Sequence, residues 1–442
     1  MSKPNKNPEP KIGVEVELFT IDDNGRITNG AERLLNKIKS SNSFYIKKEC
    51  ATNIIEVASK PFEKMPSTIS NLIEYLDEIV EISKKENIGF LPLGAYPGTY
   101  TPFMRYDERY LIQQRLFGKE RWNIAGRVSG FHCHYTLPHG IFDDELRMLK
   151  MITNTKIKEA FVNSYNFSIA ADPALTCFMQ SSPYYQGKFL GKDSRIIMYR
   201  GGESLRNPSG LYSKFEEFGN LQNYRPTSMD IIDLISSRYS NWKTKMMKLG
   251  VNLTTLSLYR SILDTAWNPV KVNANGTMEH RGMDMNHLKN IVSMSLMIKT
   301  IMRQLQSEKY SVTPSEIGME EPFKVEDDTI YIPPSSHVRK ELQYLSAYKG
   351  LDDPKVYDYS KRLLEFAKEF IPDERKKLIR PFEEMIENKK TVSDEIISFV
   401  LKKGYMIDEK ISKETAGEIA LLHSRRFEKD LDETKKMIKG LI

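Results

Sequence analysis

Four segments of this chain alternate apolar and polar side chains so that the polar groups keep a single parity, and residues two apart in a strand share a face. In KIGVEVELF, Glu15 and Glu17 share one face while Ile12, Val14, Val16 and Leu18 fill the other. In SGFHCHYTL, His132, His134 and Thr136 oppose Phe131, Cys133, Tyr135 and Leu137. In NGTMEHRGMD, Thr277, Glu279 and Arg281 fall together, which sends His280 to the other side. In KKECATNIIEVAS, Glu56 projects from an apolar run, and Glu49 stands seven residues earlier at its entrance. One such strand is an ordinary solvated sheet face. Four imply a sheet that gathers carboxylates, imidazoles and a guanidinium on one side.

Crowded carboxylates repel one another and are costly to bury unless a cation compensates. Glutamates with one or two histidines suit Mg²⁺, and Mn²⁺ also accepts imidazole. Arg281 beside them suits an anionic ligand, most simply a phosphate bridged by the metals. The set is too rich in carboxylate for zinc, and no HExxH occurs.

Composition narrows the class. With 65 Lys and Arg against 59 Asp and Glu, the net charge of +6 is mild for 442 residues and forms no clustered runs, so nucleic acid is not the expected partner. The longest apolar stretch, Ile291 to Met302, is broken by Lys299 and falls short of the roughly 20 residues that cross a bilayer. Cys50, Cys133 and Cys177 form no CxxC, which argues for a reducing compartment. The start MSKPNKNPEPK has no apolar core of a signal peptide, so the expected location is the cytoplasm.

Long amphipathic patterns predict helices from Ser67, over Asp144 to Ala171, over Ser228 to Leu249 and over Asn286 to Glu308. Loops are expected at Gly94 to Pro102, Ser181 to Asp193 and Glu203 to Gly210. Three parts follow: a disordered leader over residues 1–11, a catalytic domain over 12–350 and a helical C-terminal region over 351–442. The solvated Lys/Glu faces of that last region leave an oligomer contact open. Met294, Met297 and Met302 are expected in the core, and His139, His280, His287, His337 and His423 read as single structural or exposed histidines.

The polar segments lie in motifs whose order resembles the glutamate–cysteine ligase type 2 family, carboxylate–amine ligases related in fold to glutamine synthetase. GVEVEL (Gly13 to Leu18) is similar to the family's opening G-x-E-x-E strand. ECATNIIEVAS is similar to its acidic residue followed seven positions later by glutamate, and GFHCHYTLP, from Gly130, to G-x-H-x-H. SSPYYQGKFLGKDSR is similar to a segment with S-P, Q-G and S-R, and GTMEHRGMD, from Gly276, to G-T-x-E-x-R-x-M-D. The resemblance runs from Gly13 to Asp284, about three fifths of the chain.

The resemblance implies an ATP-dependent enzyme with two or three Mg²⁺ ions clamped between ATP phosphates and a substrate carboxylate. Glu15, His132 and Glu279 would hold one ion, and Glu17, Glu49 and Glu56 the others. Arg281 would face the transferring phosphoryl group, with Glu279 as its catalytic companion. Arg195, in the S-R position, would contact phosphate. His134 is either a further ligand or an orienter of the first, on the nucleotide side of the site. Where several relatives carry an arginine three residues after the tryptophan matching Trp267, this chain has Val270 followed by Lys271. Lys271 would face the site only if no bulge separates it from Glu279, and Asn273 to Gly276 is bulge-prone.

The expected fold is α+β: a curved, mostly antiparallel sheet of glutamine synthetase-like form, with metals on its concave face, helices behind it and the helical C-terminal region. The expected function is amide formation through an acyl phosphate. Its substrates would be small molecules, L-glutamate and L-cysteine or another amine, as in glutathione biosynthesis, with neither membrane nor nucleic acid involved. The alternatives are a guanidino-kinase-like phosphotransferase of related fold and a catalytically silent nucleotide-binding protein.

Overall fold

The computed structural model describes residues 9–441 except Ser257 and Arg260, so the leader expected over residues 1–11 lies outside the described residues up to residue 8. The main sheet has seven strands: β1 (Ile12–Ile21), β2 (Ile46–Lys48), β3 (Ile54–Ala58), β4 (Gly89–Leu91), β5 (Gly130–Thr136), β6 (Val270–Asn273) and β7 (Thr277–Asp284). The order is β6-β7-β5-β1-β3-β2, and β4 continues the β5 side of β1 toward its C-terminal end. Every pairing in this sheet is antiparallel. A parallel pair does occur in a small separate sheet, between Ser311–Pro314 and Thr329–Ile332.

Parity divides the faces as the alternation requires. Ile12, Val14, Val16, Leu18, Phe131, Cys133 and Tyr135 are buried in one large core behind the sheet. That core is filled from the helices α1 (Met65–Lys85), α2 (Thr155–Phe178), α3 (Leu288–Leu305) and α4 (Pro354–Glu369). His280 also points back and bonds Ser168 of α2 at 2.9 Å. Met294, Met297 and Met302 are buried in the same core.

Helix α1 begins two residues before the expected cap Ser67, because Pro66 presets the backbone of its first turn. Helix α2 starts at Thr155 rather than Asp144, since Phe142–Asp143 and Met148–Leu149 pair as a short ribbon. From Pro354 onward the described elements are helical, among them α5 (Val392–Lys402) and α6 (Lys413–Lys439). Among the described residues no helix is long and apolar enough to cross a membrane.

Candidate metal and active site

Strand register brings the four polar segments together. Glu15 lies opposite His132 on β5, Glu17 opposite Glu56 on β3, and Glu279 of β7 opposite His134. Glu49 follows β2, and Lys47 of β2 pairs across to Glu56. All six expected metal ligands therefore gather at one face, and five of them, joined by His134, place their donor atoms in two adjacent groups. One consists of Glu15, His134 and Glu279, the other of Glu17, Glu49 and Glu56, with the donors of each within 4.8 Å of one another. His132 stands between the groups, 3.3 Å from Glu15, 3.7 Å from Glu17 and 4.0 Å from Glu279.

The electrostatics of the two groups differ. Burial raises the Glu15 carboxyl, but His134 and His132 outweigh it and hold Glu15 well below the usual carboxylate range. Burial likewise opposes ionisation of Glu279, yet Arg281, His134 and Lys271 bring it down to about 2. Glu49 is pushed well above its ordinary value by burial and by the charges of Glu17 and Glu56. Glu56 is raised by burial and Glu15, with Lys47 at 3.1 Å opposing.

The second group is thus short of positive charge. In addition, the buried Nε2 atoms of His132 and His134 have no hydrogen-bond partner among the described residues. A hard divalent cation beside these convergent carboxylates would relieve their repulsion and take the unpartnered imidazole nitrogens as ligands on displacing their protons.

The remaining contacts fix side-chain aim. Glu279 accepts from Asn273 Nδ2 at 2.6 Å and from Arg281 Nη1 at 3.1 Å. His134 Nδ1 meets Thr277 Oγ1 at 3.0 Å, leaving Nε2 toward Glu15 at 3.5 Å. Glu17 accepts from the Gly130 amide at 2.5 Å. Arg281 leaves regular strand geometry at a bulge between His280 and Met283.

Arg195 braces that bulge: its Nη1 donates to Gly282 O at 3.0 Å and its Nη2 to Arg281 O at 3.3 Å. A Cβ on Gly130 would lie 2.3 Å from Arg195 Nη2, so any larger residue there would displace this guanidinium.

Lys271 lies directly opposite Glu279, because the Asn273–Thr277 pairing is intact and the turn at Gly276 keeps register. It therefore faces the site, and the bulge feared between the two residues falls beyond Glu279 instead. It has no ion-pair or hydrogen-bond partner among the described residues. Burial lowers its ammonium pKa against the pull of Glu279. Sequence reading passed over Lys47 and Asn273, although each shares parity with a residue it did name, Glu49 and Lys271. A cavity of about 850 Å³ opens at Glu15, His134 and Thr277 and runs past Lys47 toward Tyr45 and Pro61. That is ample for a nucleotide-sized ligand.

This antiparallel sheet with helices behind it is a fold shared with known ligases. A bifunctional glutathione synthetase from Pasteurella multocida superposes with a TM-score of 0.59 at 12% identity, over 95% of this chain and 53% of that one. A glutamate–cysteine ligase from Francisella tularensis, solved in complex with AMP, gives 0.53 at 13% identity over 98% and 93%. In sequence, residues 11–329 match the glutamate–cysteine ligase family 2 (GCS2), and the chain belongs to that family. A relative from Clavibacter michiganensis subsp. michiganensis named "Putative glutamate--cysteine ligase 2" is 23% identical over 202 residues, 44% of this chain and 47% of the relative. One of the same name from Clavibacter sepedonicus is 22% identical over 204 residues. The chain thus spans about half the length of the curated relatives it matches.

Proposed function

We propose that this chain is an ATP-dependent carboxylate–amine ligase that activates a carboxylate as an acyl phosphate, with the γ-carboxylate of L-glutamate as acid and L-cysteine or another amine as acceptor. The observation that carries the reading is the pair of three-donor groups side by side on one sheet face, with Arg281 and Lys271 at their margin. Family membership supports it, as do the relatives named putative glutamate–cysteine ligase.

Glu15, His132, His134 and Glu279 would hold one Mg²⁺ or Mn²⁺, and Glu17, Glu49 and Glu56 a second. Such ions supply charge neutralisation for the phosphates. Arg281, held in place by Glu279, would stabilise charge on the transferring phosphoryl group. Lys271, without an ion-pair partner among the described residues, would take a carboxylate of the acid substrate. A substrate carboxylate oxygen takes the γ-phosphoryl group and ADP leaves. The amine then attacks the acyl carbon, losing a proton to a base as the bond to phosphate breaks.

The test supplies ATP, Mg²⁺ and glutamate with cysteine and then with other amines, following ADP and product masses. Ligation predicts ADP only when acid and amine are both present, and none in EDTA. Glu279→Gln should lose at least the roughly 10- to 100-fold seen for outer ligand-supporting changes. A stable phosphorylated product from a single substrate would make the protein a kinase, and tight nucleotide binding without turnover would make it a silent binder.

A further inference from the structure

Two buried carboxyl groups apart from the candidate metal ligands lie against the bulge that aims Arg281. Asp284 ends β7, and Asp193 caps the short helix Ser194–Tyr199, whose second residue is Arg195. Both aspartates are 0% exposed, so no solvent reaches either one. Asp284 Oδ2 accepts from Ser181 N at 2.9 Å and from Ser182 Oγ at 2.7 Å, and Asp193 Oδ1 accepts from Ile196 N at 2.8 Å. The other oxygen of each, Asp284 Oδ1 and Asp193 Oδ2, is buried and has no partner among the described residues.

The two side chains meet. Ser182 pairs with Asp193, its carbonyl accepts from Ser194 N at 2.8 Å, and its hydroxyl donates to Asp284, which sets the aspartates side by side in hydrogen-bonding contact. With Asp193 Oδ1 and Asp284 Oδ2 engaged, the atoms left for that contact are the two unpartnered oxygens. Two ionised carboxylates have no donor between them. The cations facing the pair donate elsewhere: Arg195 to the carbonyls of Arg281 and Gly282, and Arg200 to Asp172 and Gln343. Lys192, next along the chain, is bound by Asp352 and Asp394. From α2, Cys177 faces Asp193, and burial pushes its thiol up to about 12, so it is neutral. Gly94 closes over Asp284: a Cβ there would lie 2.1 Å from the carboxyl carbon, which leaves no room for water on that side.

We propose that Asp193 and Asp284 share one proton, with Asp193 Oδ2–H donating to Asp284 Oδ1, and that the pair is a positioning device that seats Arg195 on the bulge and so aims Arg281. Asp193 is the donor because it has one amide for its charge, whereas Asp284 has two donors and faces Arg195. Burial and the charge of Asp284 push Asp193 well above the usual carboxylate range, while burial raises Asp284 to about 6 against the pull of Arg195. The bond ties the cap of the short helix to the last residue of β7, and Arg195 grips the same strand two and three residues earlier. Without the proton, two bare charges would press these segments apart. The positioning role rests on the ligase reading; the shared proton does not.

The experiment uses the full chain and Asp193→Asn, whose amide N–H replaces the O–H. At pH 7.5 the infrared difference between them should contain the carbonyl stretch of one protonated carboxylic acid, present in the wild type alone. The native chain holds a proton that an unfolded aspartate releases, so a raised folded pKa means stability lost as pH rises. From urea melts between pH 6 and 8, the wild-type unfolding constant should therefore rise about tenfold per pH unit relative to Asp193→Asn. With an acid–amine pair that supports turnover, Asp193→Ala should lower kcat at least about tenfold, with KM for ATP nearly unchanged, and Asp193→Asn should restore most of the loss. If Asp193→Ala fails to fold, the infrared and urea comparisons still decide. Absence of the acid band or equal pH slopes overturns the shared proton, and Asn as damaging as Ala overturns the positioning role. If no pair turns over, the ligase reading fails and the infrared band alone decides the proton.

Discussion

Arg281 is aimed by a register break rather than by ideal strand geometry, and the break is held by Arg195. Two guanidinium donors reach two successive carbonyls, Arg281 O and Gly282 O, which a lysine cannot span. Arg195→Lys should therefore lower kcat about 100-fold, the scale of a 1 Å misplacement, with little change in KM for ATP. If Arg195 contacts phosphate directly, KM for ATP rises instead, and the two roles separate. Lys271 allows a second test. Truncating one side of a buried charge contact costs roughly 2–5 kcal/mol, so Lys271→Met should raise KM for the acid substrate about 30-fold or more and leave ATP unaffected. In the free protein, removing an ammonium whose desolvation outweighs the pull of Glu279 should raise Tm. A variant with unchanged KM for every acid would remove Lys271 from substrate recognition.

At the scale of elements, the polar faces of β1, β3, β5 and β7 were legible because parity in a strand is a purely local rule. The fate of Lys271 was not, since it depended on whether a hairpin kept register across residues 273–277, and turn composition alone leaves that open. The pairing of His287 with His423 was equally invisible. The two residues lie 136 positions apart and meet only where α6 docks on α3, Nε2 to Nδ1 at 2.9 Å.

Burial, with Arg426 adding to it, depresses His423 to about 3; burial, His423 and Arg426 lower His287 too. Both imidazoles are therefore neutral in the folded chain but take up protons near pH 6.5 when unfolded. A depressed folded pKa means that this stability is present above about pH 6.5 and is lost as pH falls below it. Between pH 6.5 and 5.5 the loss should be about 1 kcal/mol per histidine. Urea midpoints measured across that range should fall more steeply for the wild type than for His423→Gln. Parallel pH profiles would show that the pair does not titrate on unfolding.

For the whole molecule, the question is whether the helices beyond Pro354 are an appendage. The expected boundary near residue 350 rested on a change in composition, but strand β1 runs through both environments. Its site-facing parity carries Glu15 and Glu17 and then Phe19 and Ile21, and these last two are buried with Leu91 and Leu93 against Ile396 and Ile419 of the C-terminal helices and Ile411 between them. The same sheet face thus holds the metal-ligand candidates at one end and depends on the C-terminal helices at the other. Burying each of those four side chains is worth roughly 1.5–3 kcal/mol, about 6–12 kcal/mol together, a gain the C-terminal segments share with Ile54, Tyr96 and Tyr184 of the same cluster. That is comparable to the entire stability of an ordinary domain, about 5–15 kcal/mol. Behind the sheet, Phe366 of α4 packs on Phe167 and Tyr359 on Phe323, so the main core would be opened as well. A chain truncated after Asp353 should accordingly lack a cooperative thermal transition and should associate through its exposed sheet face, as read by calorimetry and light scattering. A soluble monomeric fragment melting within a few degrees of the full chain would mean instead that the first 353 residues fold alone, and that the C-terminal helices are an appendage to them.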